Sequence, residues 1–185
     1  LVHPALGEYP FPELCGAGVA FKLACALLGQ EAGTRFLDLA ALATIADLVP
    51  LRGENRAIAA LGLKALADTG RPGLQALMEA AGVDRLAGVS EGQVGYQLAP
   101  RLNAGGRLST AENALKLLLT GDREEAGIIA QGLDELNSQR RQVEAAVFEE
   151  ALEQAEGQDL SALRSLVAAG EGWNTGVVGL AAGKL

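Results

Sequence analysis

Apolar residues along this chain recur at three- and four-residue spacings between polar ones, the pattern of helices with one buried face. After an extended lead-in through Pro4, Pro10 and Pro12, the first apolar helix runs from about Gly16 to Leu28. A loop around Gly33 and Thr34 precedes a second helix, almost wholly apolar, that ends at Asp47, with Pro50 enforcing the stop. Glu54 and Asn55 signal a third helix reaching about Ala67, with Ile58, Leu61 and Leu66 on its apolar face and Arg56 in its first turn. Residues 69 to 72 break the chain, and residues 73 to 81 make a short helix. From Ser90 a helical pattern leads into Ala99–Leu108, whose proline and glycines predict an irregular loop. Thr110 then opens an apolar helix over residues 111 to 119.

The segment Arg123–Glu156 contains no proline and is built of helix formers, with Ile128, Leu133, Leu136, Val143, Val147 and Leu152 as its expected apolar stripe. A helix of that length either joins two lobes or forms part of a surface hairpin. Residues 157 to 162 read as a linker, residues 163 to 168 as a short apolar strand, and residues 173 to 185 as the opening of a further α/β unit. One strand and one helix cannot bury a core alone, so this last part is expected to depend on further sequence or on the rest of the chain.

Composition narrows the picture. The 185 residues are 49% hydrophobic, enough for a real core, and no apolar run approaches the roughly 20 residues that cross a bilayer. No signal peptide pattern opens the chain, so no membrane association is expected and the cytoplasm is the expected compartment. The net charge of −8 runs against binding nucleic acid, but residues 122 to 159 carry all of it, with 11 acidic and three basic side chains. Elsewhere the charges balance. Cys15 and Cys25 lack the spacing of a metal site, and on one helix they stand roughly 15 Å apart, too far for a disulfide, so both are expected as inert thiols.

Two segments carry candidate chemistry. Asp47 ends an apolar helix, and a carboxylate in apolar surroundings meets a cation, a donor cluster or a metal; alternatively it simply terminates the helix in water. Ala99–Leu108 sets Arg101, Asn103 and Arg107 around Ala104, Gly105 and Gly106, a composition suited to gripping phosphate with planar guanidiniums. The competing reading pairs one of these arginines with Asp47 or Glu112.

Together the segments resemble the RecJ branch of the DHH phosphoesterase superfamily over nearly the whole chain. The resemblance rests on residues 9 to 22, on Thr44-Ile45-Ala46-Asp47 with Pro50-Leu51 and residues 53 to 56, and on Ala99–Leu108. It continues through Leu136-Asn137, Arg141-Gln142, Glu144 and residues 173 to 179. It implies an α/β fold in which residues 1–122 are the mainly helical C-terminal part of a DHH domain, residues 123–157 a connecting helix, and residues 158–185 the start of a second, DHHA1 domain. It further implies a 5′→3′ exonuclease on single-stranded DNA using Mn²⁺ or Mg²⁺ at a two-metal site, most of whose ligands lie outside this chain, with single-strand-binding proteins or helicases as partners. Asp47 would be the catalytic metal ligand, and Arg101, Asn103, Arg107 and Lys184 would meet DNA.

The chain departs from the family pattern in several places. The Asp-His-His triplet and the early aspartates are absent, His3 being the single histidine, so an internal fragment is expected that hydrolyses nothing alone. Asn174 stands where a histidine usually follows the tryptophan, and Gly183-Lys184 replaces Ser-Arg. Asparagine hydrogen-bonds but cannot shuttle protons. A related phosphodiesterase acting on short oligonucleotides or nucleotides, and an inactive scaffold in a DNA-processing complex, are the alternatives.

Overall fold

The computed structural model describes residues 3–157 and 164–185, whose regular elements are all helical, with no strand among them. In chain order the helices are α1 (Gly16–Leu28), α2 (Gln30–Gly33), α3 (Leu37–Ala46), α4 (Gly53–Ala67), α5 (Pro72–Ala80), α6 (Glu91–Gln93), α7 (Ala99–Leu108), α8 (Glu112–Leu119), α9 (Arg123–Glu156) and α10 (Thr175–Ala182). A π-helical turn, Val94–Leu98, joins α6 to α7.

The main core lies where α3, α4, α5, α8 and the first half of α9 converge on Leu66, Leu74, Leu77, Leu98, Leu117 and Leu133. Burying one such leucine contributes about 2 kcal/mol. A smaller cluster of Phe21, Ala40, Ala41 and Ile58 fixes α1 against α3 and α4. A third, made of Val147, Val177 and Ala181, seats α10 on the second half of α9. Helix α5 comes so close to α8 that a Cβ on Gly73 would fall on the Leu117 carbonyl.

Helix α9 sets the dimensions of the molecule, its 34 residues spanning about 51 Å. Asp122 starts it, its carboxylate accepting from the amides of Glu124 and Glu125 at 2.8 and 3.2 Å. Its buried positions are Ala126, Ala130, Leu133, Asn137, Glu144, Val147, Ala151 and Ala155, spaced three or four residues apart save for one step of seven. The expected stripe is therefore out of phase in part. Ile128 is 66% exposed, because small alanines rather than the large aliphatics allow the neighbouring helices to approach.

Two local expectations need correction. Ala99–Leu108 is a helix, not a loop. The amide of Ala99 bonds to the Val94 carbonyl across the π turn, so Pro100 falls in a first turn, where its missing N–H costs little. The strand expected over residues 163 to 168 does not form at residues 164–168, since a lone strand has no edge to pair with. Residue 163 and residues 158–162 of the expected linker lie outside the described residues.

Candidate functional site

Asp47 is the C-cap of α3, and the backbone reverses sharply beyond it. Leu48 takes φ +55°, the left-handed region disfavoured for residues with a Cβ. This turn separates neighbouring side chains into two recesses. Asp47 lines a hollow of about 330 Å³ with Cys15, Gly16, Ala17 and Asn103. Leu48 lines a larger cavity of about 490 Å³ with Val49, Tyr96, Asn103, Arg107 and Arg140. Asn103 belongs to both, so the carboxylate recess and the guanidinium cavity share a wall.

Asp47 is exposed, contrary to the expectation of apolar surroundings. The apolar positions of α3 are buried, but the helix ends at the surface and delivers the carboxylate there. The buried carboxylate of α3 is Asp38, which residue spacing did not single out. Its Oδ2 accepts from Thr69 Oγ1 at 2.8 Å and Arg71 Nε at 3.1 Å, tying the start of α3 to the turn before α5.

The start of α1 frames the carboxylate recess. Cys15 is buried as its N-cap, with Sγ accepting from the Gly18 amide at 3.3 Å and 3.5 Å from Thr44 Oγ1 on α3. Both cysteines are free thiols.

The four expected cation and amide positions divide. Arg107 lines the larger cavity and donates from Nη1 to the Gly176 carbonyl at 3.0 Å, clasping α7 to α10. The two helices touch there so closely that a Cβ on Gly176 would fall on the Arg107 carbonyl. Arg101 is engaged elsewhere. Its guanidinium holds Asp134 of α9 at 2.8 Å and the Gln97 carbonyl at 2.7 Å. Lys184 pairs with Glu144 at 2.6 Å. Gly105 serves packing against the Thr110 carbonyl rather than opening its amide to a phosphate, since the segment is helical.

Glu144 is buried in the stripe of α9, and its second oxygen accepts from Arg140 Nη1 at 2.7 Å. Arg140 Nη2 donates to Asn137 at 3.1 Å. Sequence reasoning quoted Arg141, which is exposed; the three-four spacing from Asn137 to Glu144 points instead to Arg140. Asn174 caps α10, its Oδ1 accepting from the Gly176 amide at 2.8 Å. A structural role thus accounts for asparagine at that position.

No group of three or more His, Cys, Asp or Glu capable of holding a metal occurs among the described residues. Asp47 fits as one hard oxygen ligand for a divalent cation, not as a complete site. No helix among the described residues is long and apolar enough to cross a membrane.

No family model matches the chain. All of it aligns with the single-stranded-DNA-specific exonuclease RecJ of Bacillus subtilis strain 168, at 50% identity over 187 residues. Two crystal structures of RecJ from Thermus thermophilus, one in complex with Mg²⁺ and one with Mn²⁺, superpose on 99% of the chain with TM-scores of 0.88 and 38% identity. The chain spans 23% of the Bacillus protein and 29% and 28% of the two crystallised chains. Matched from end to end in both sequence and fold, it belongs to the RecJ family.

Proposed function

We propose that this chain is the part of a metal-dependent 5′→3′ single-stranded DNA exonuclease that supplies one metal ligand and one wall of the substrate channel. The supporting observation is the shared wall at Asn103. It sets the Asp47 carboxylate beside a cavity that contains a guanidinium, Arg107, paired with no carboxylate among the described residues. Phosphodiester hydrolysis needs that juxtaposition of metal ligand and phosphate binder.

Asp47 would hold Mn²⁺ or Mg²⁺ with oxygen ligands from other parts of the protein, and the ion would activate water and neutralise the leaving oxygen. Asn103, exposed between the two recesses, orients the phosphate. Arg107 grips it while anchoring α10. Arg101 and Lys184 act as positioning groups through Asp134 and Glu144, holding α7 and α10 to α9. In the larger architecture, residues 1–122 would complete an α/β DHH domain, α9 would connect it onward, and α10 would belong to a second α/β domain. Single-strand-binding proteins or helicases would deliver the substrate in the cytoplasm.

The test is Asp47→Ala in the full-length protein. Because Asp47 is exposed, stability should stay within about 0.5 kcal/mol of wild type. Hydrolysis of a 5′-phosphorylated single strand should disappear, while binding of that strand persists. Near-normal turnover would reject the ligand assignment. Processing of a dinucleotide in preference to a long strand would favour an oligonucleotide phosphodiesterase instead.

A further inference from the structure

Asn55 is wholly buried in the first turn of α4, yet it does not cap that helix, whose N-cap, Arg52, makes no side-chain capping bond. Its amide reaches back instead, Nδ2 donating to the Glu13 carbonyl at 2.8 Å and to the Pro50 carbonyl at 3.1 Å. Both hydrogens of one amide group are thus committed to two segments far apart in sequence. These contacts fix which way the amide points, since its oxygen in the same place would face two acceptors. Asn55 Oδ1 is buried with no partner among the described residues, so the donated bonds are what the side chain contributes.

The two acceptors belong to the segments that frame the carboxylate recess. Glu13 lies just ahead of Cys15, the N-cap of α1, which lines that recess with Gly16 and Ala17. Pro50 lies just beyond the turn that begins at Asp47. Between Asp47 and Pro50 stands Leu48 at φ +55°, and its side chain is 86% exposed, so packing of that side chain does not hold the turn. A backbone kept in a disfavoured region needs surroundings that determine it. Here the anchored point is the Pro50 carbonyl, which accepts from Asn55 Nδ2 and from the Arg52 amide at 2.9 Å. A parallel link, Arg52 Nε donating to Glu13 at 2.8 Å, lies at the surface, where solvent weakens it. The hold between the two segments therefore falls to the buried amide.

We propose that Asn55 is a positioning residue for the divalent metal: from outside the recess, through the Pro50 and Glu13 carbonyls, it fixes where the Asp47 carboxylate stands relative to the start of α1. Mn²⁺ and Mg²⁺ require ligand oxygens at set distances and directions, so a ligand on an irregular turn serves only where that turn is held. The inference rests on the reading of Asp47 as a metal ligand and deepens it by naming the group that aims it.

The experiment titrates Mn²⁺ into the full-length protein without DNA, reading bound metal from the loss of the free-ion EPR signal, and then follows hydrolysis of a 5′-phosphorylated single strand as Mn²⁺ is raised. Asp47→Ala, which should lose a bound equivalent, identifies the site to be read. Asn55→Ala should weaken Mn²⁺ binding at that site about tenfold. Its hydrolysis should need correspondingly more Mn²⁺ and approach the wild-type kcat once metal saturates, with KM for the strand unchanged. Asn55→Ser, which keeps one donor on a shorter side chain, should fall in between. Gly73→Ala, which strains the contact of α5 with α8 away from the recess, should keep the wild-type Mn²⁺ affinity, separating a positioning effect from a general loss of stability.

Wild-type Mn²⁺ affinity in Asn55→Ala would overturn the assignment, and so would an equal loss in Gly73→Ala. Should Asn55→Ala fail to fold, Asn55→Ser decides by the same measure. Unchanged Mn²⁺ binding in Asp47→Ala would instead remove the ligand reading on which the inference rests.

Discussion

Replacing Glu144 by alanine should loosen the second half of α9 and the α10 segment more than any surface change nearby. Its side chain is 7% exposed and joins two cations of very different setting: Arg140, 13% exposed, and Lys184, 58% exposed. Removing one partner of a buried pair costs about 3–5 kcal/mol, whereas an exposed pair contributes about 0–1 kcal/mol. Arg140 would keep its bond to Asn137 and border a cavity that water can enter, so the lower end, about 3 kcal/mol, applies. Lys184→Met should cost about 0.5 kcal/mol.

Hydrogen exchange of peptides from α9 and α10 in the full-length protein reads this directly. Glu144→Ala should speed exchange in those peptides roughly a hundredfold, and Lys184→Met less than about fivefold. The double variant Arg140→Met with Glu144→Leu restores an apolar stripe and should return most of the protection, since the loss comes from an orphaned charge rather than a missing attraction. Equal effects of the two single variants, or a double variant as labile as Glu144→Ala, would refute the reasoning.

Further outcomes follow from contacts elsewhere. Gly73→Ala must push α5 away from the Leu117 carbonyl and should cost about 1–3 kcal/mol or more, read as a lower urea midpoint. At the N-terminal segment, Tyr9 and Lys22 both meet Glu54, at 2.7 and 2.9 Å. Burial alone would raise the Glu54 carboxyl, but its bonds to Tyr9 and Lys22 hold it below the ordinary 4.5. The Lys22 ammonium, chiefly through its bond to Glu54, sits above the ordinary 10.5. The stabilisation from Glu54 is complete above pH 4.5 and fades as the pH falls through its lowered value; that from Lys22 is complete below pH 10.5 and fades as the pH rises through its raised one. Lys22→Met should therefore lower stability at pH 7 by no more than about 1 kcal/mol, read as a lower melting temperature, and by progressively less as the pH falls through the lowered Glu54 value.

Much of the helical layout was legible because it is written locally. The bounds of α1, α4 and α9 follow from caps, breakers and helix formers close in sequence. What escaped depends on distant partners. Asp38 and Asp47 sit on the same apolar helix, yet Thr69 and Arg71, 31 and 33 residues on, bury the first, and no described residue buries the second. Proline and glycine in α7 suggested a loop because the π turn that absorbs Pro100 has no obvious signature. The buried face of α9 was misphased because alanine, a weak hydrophobic signal, occupies the tightest contacts. In the candidate site, Asn103 and Arg107 could be found from motif composition, whereas Tyr96 and Arg140 emerged only once the cavity had walls.

The spacing of the inward positions along α9 makes its length adjustable only in steps. One inserted residue ahead of Asn137 would swing everything beyond it by about 100°, α10 included, and so carry Gly176 off Arg107 of α7. Seven inserted residues would restore the facing side to within about 20° while moving α10 outward by about 10 Å. Lineages that alter the separation of the two ends of this rod should therefore do so by whole heptads, and single-residue slips should be purged.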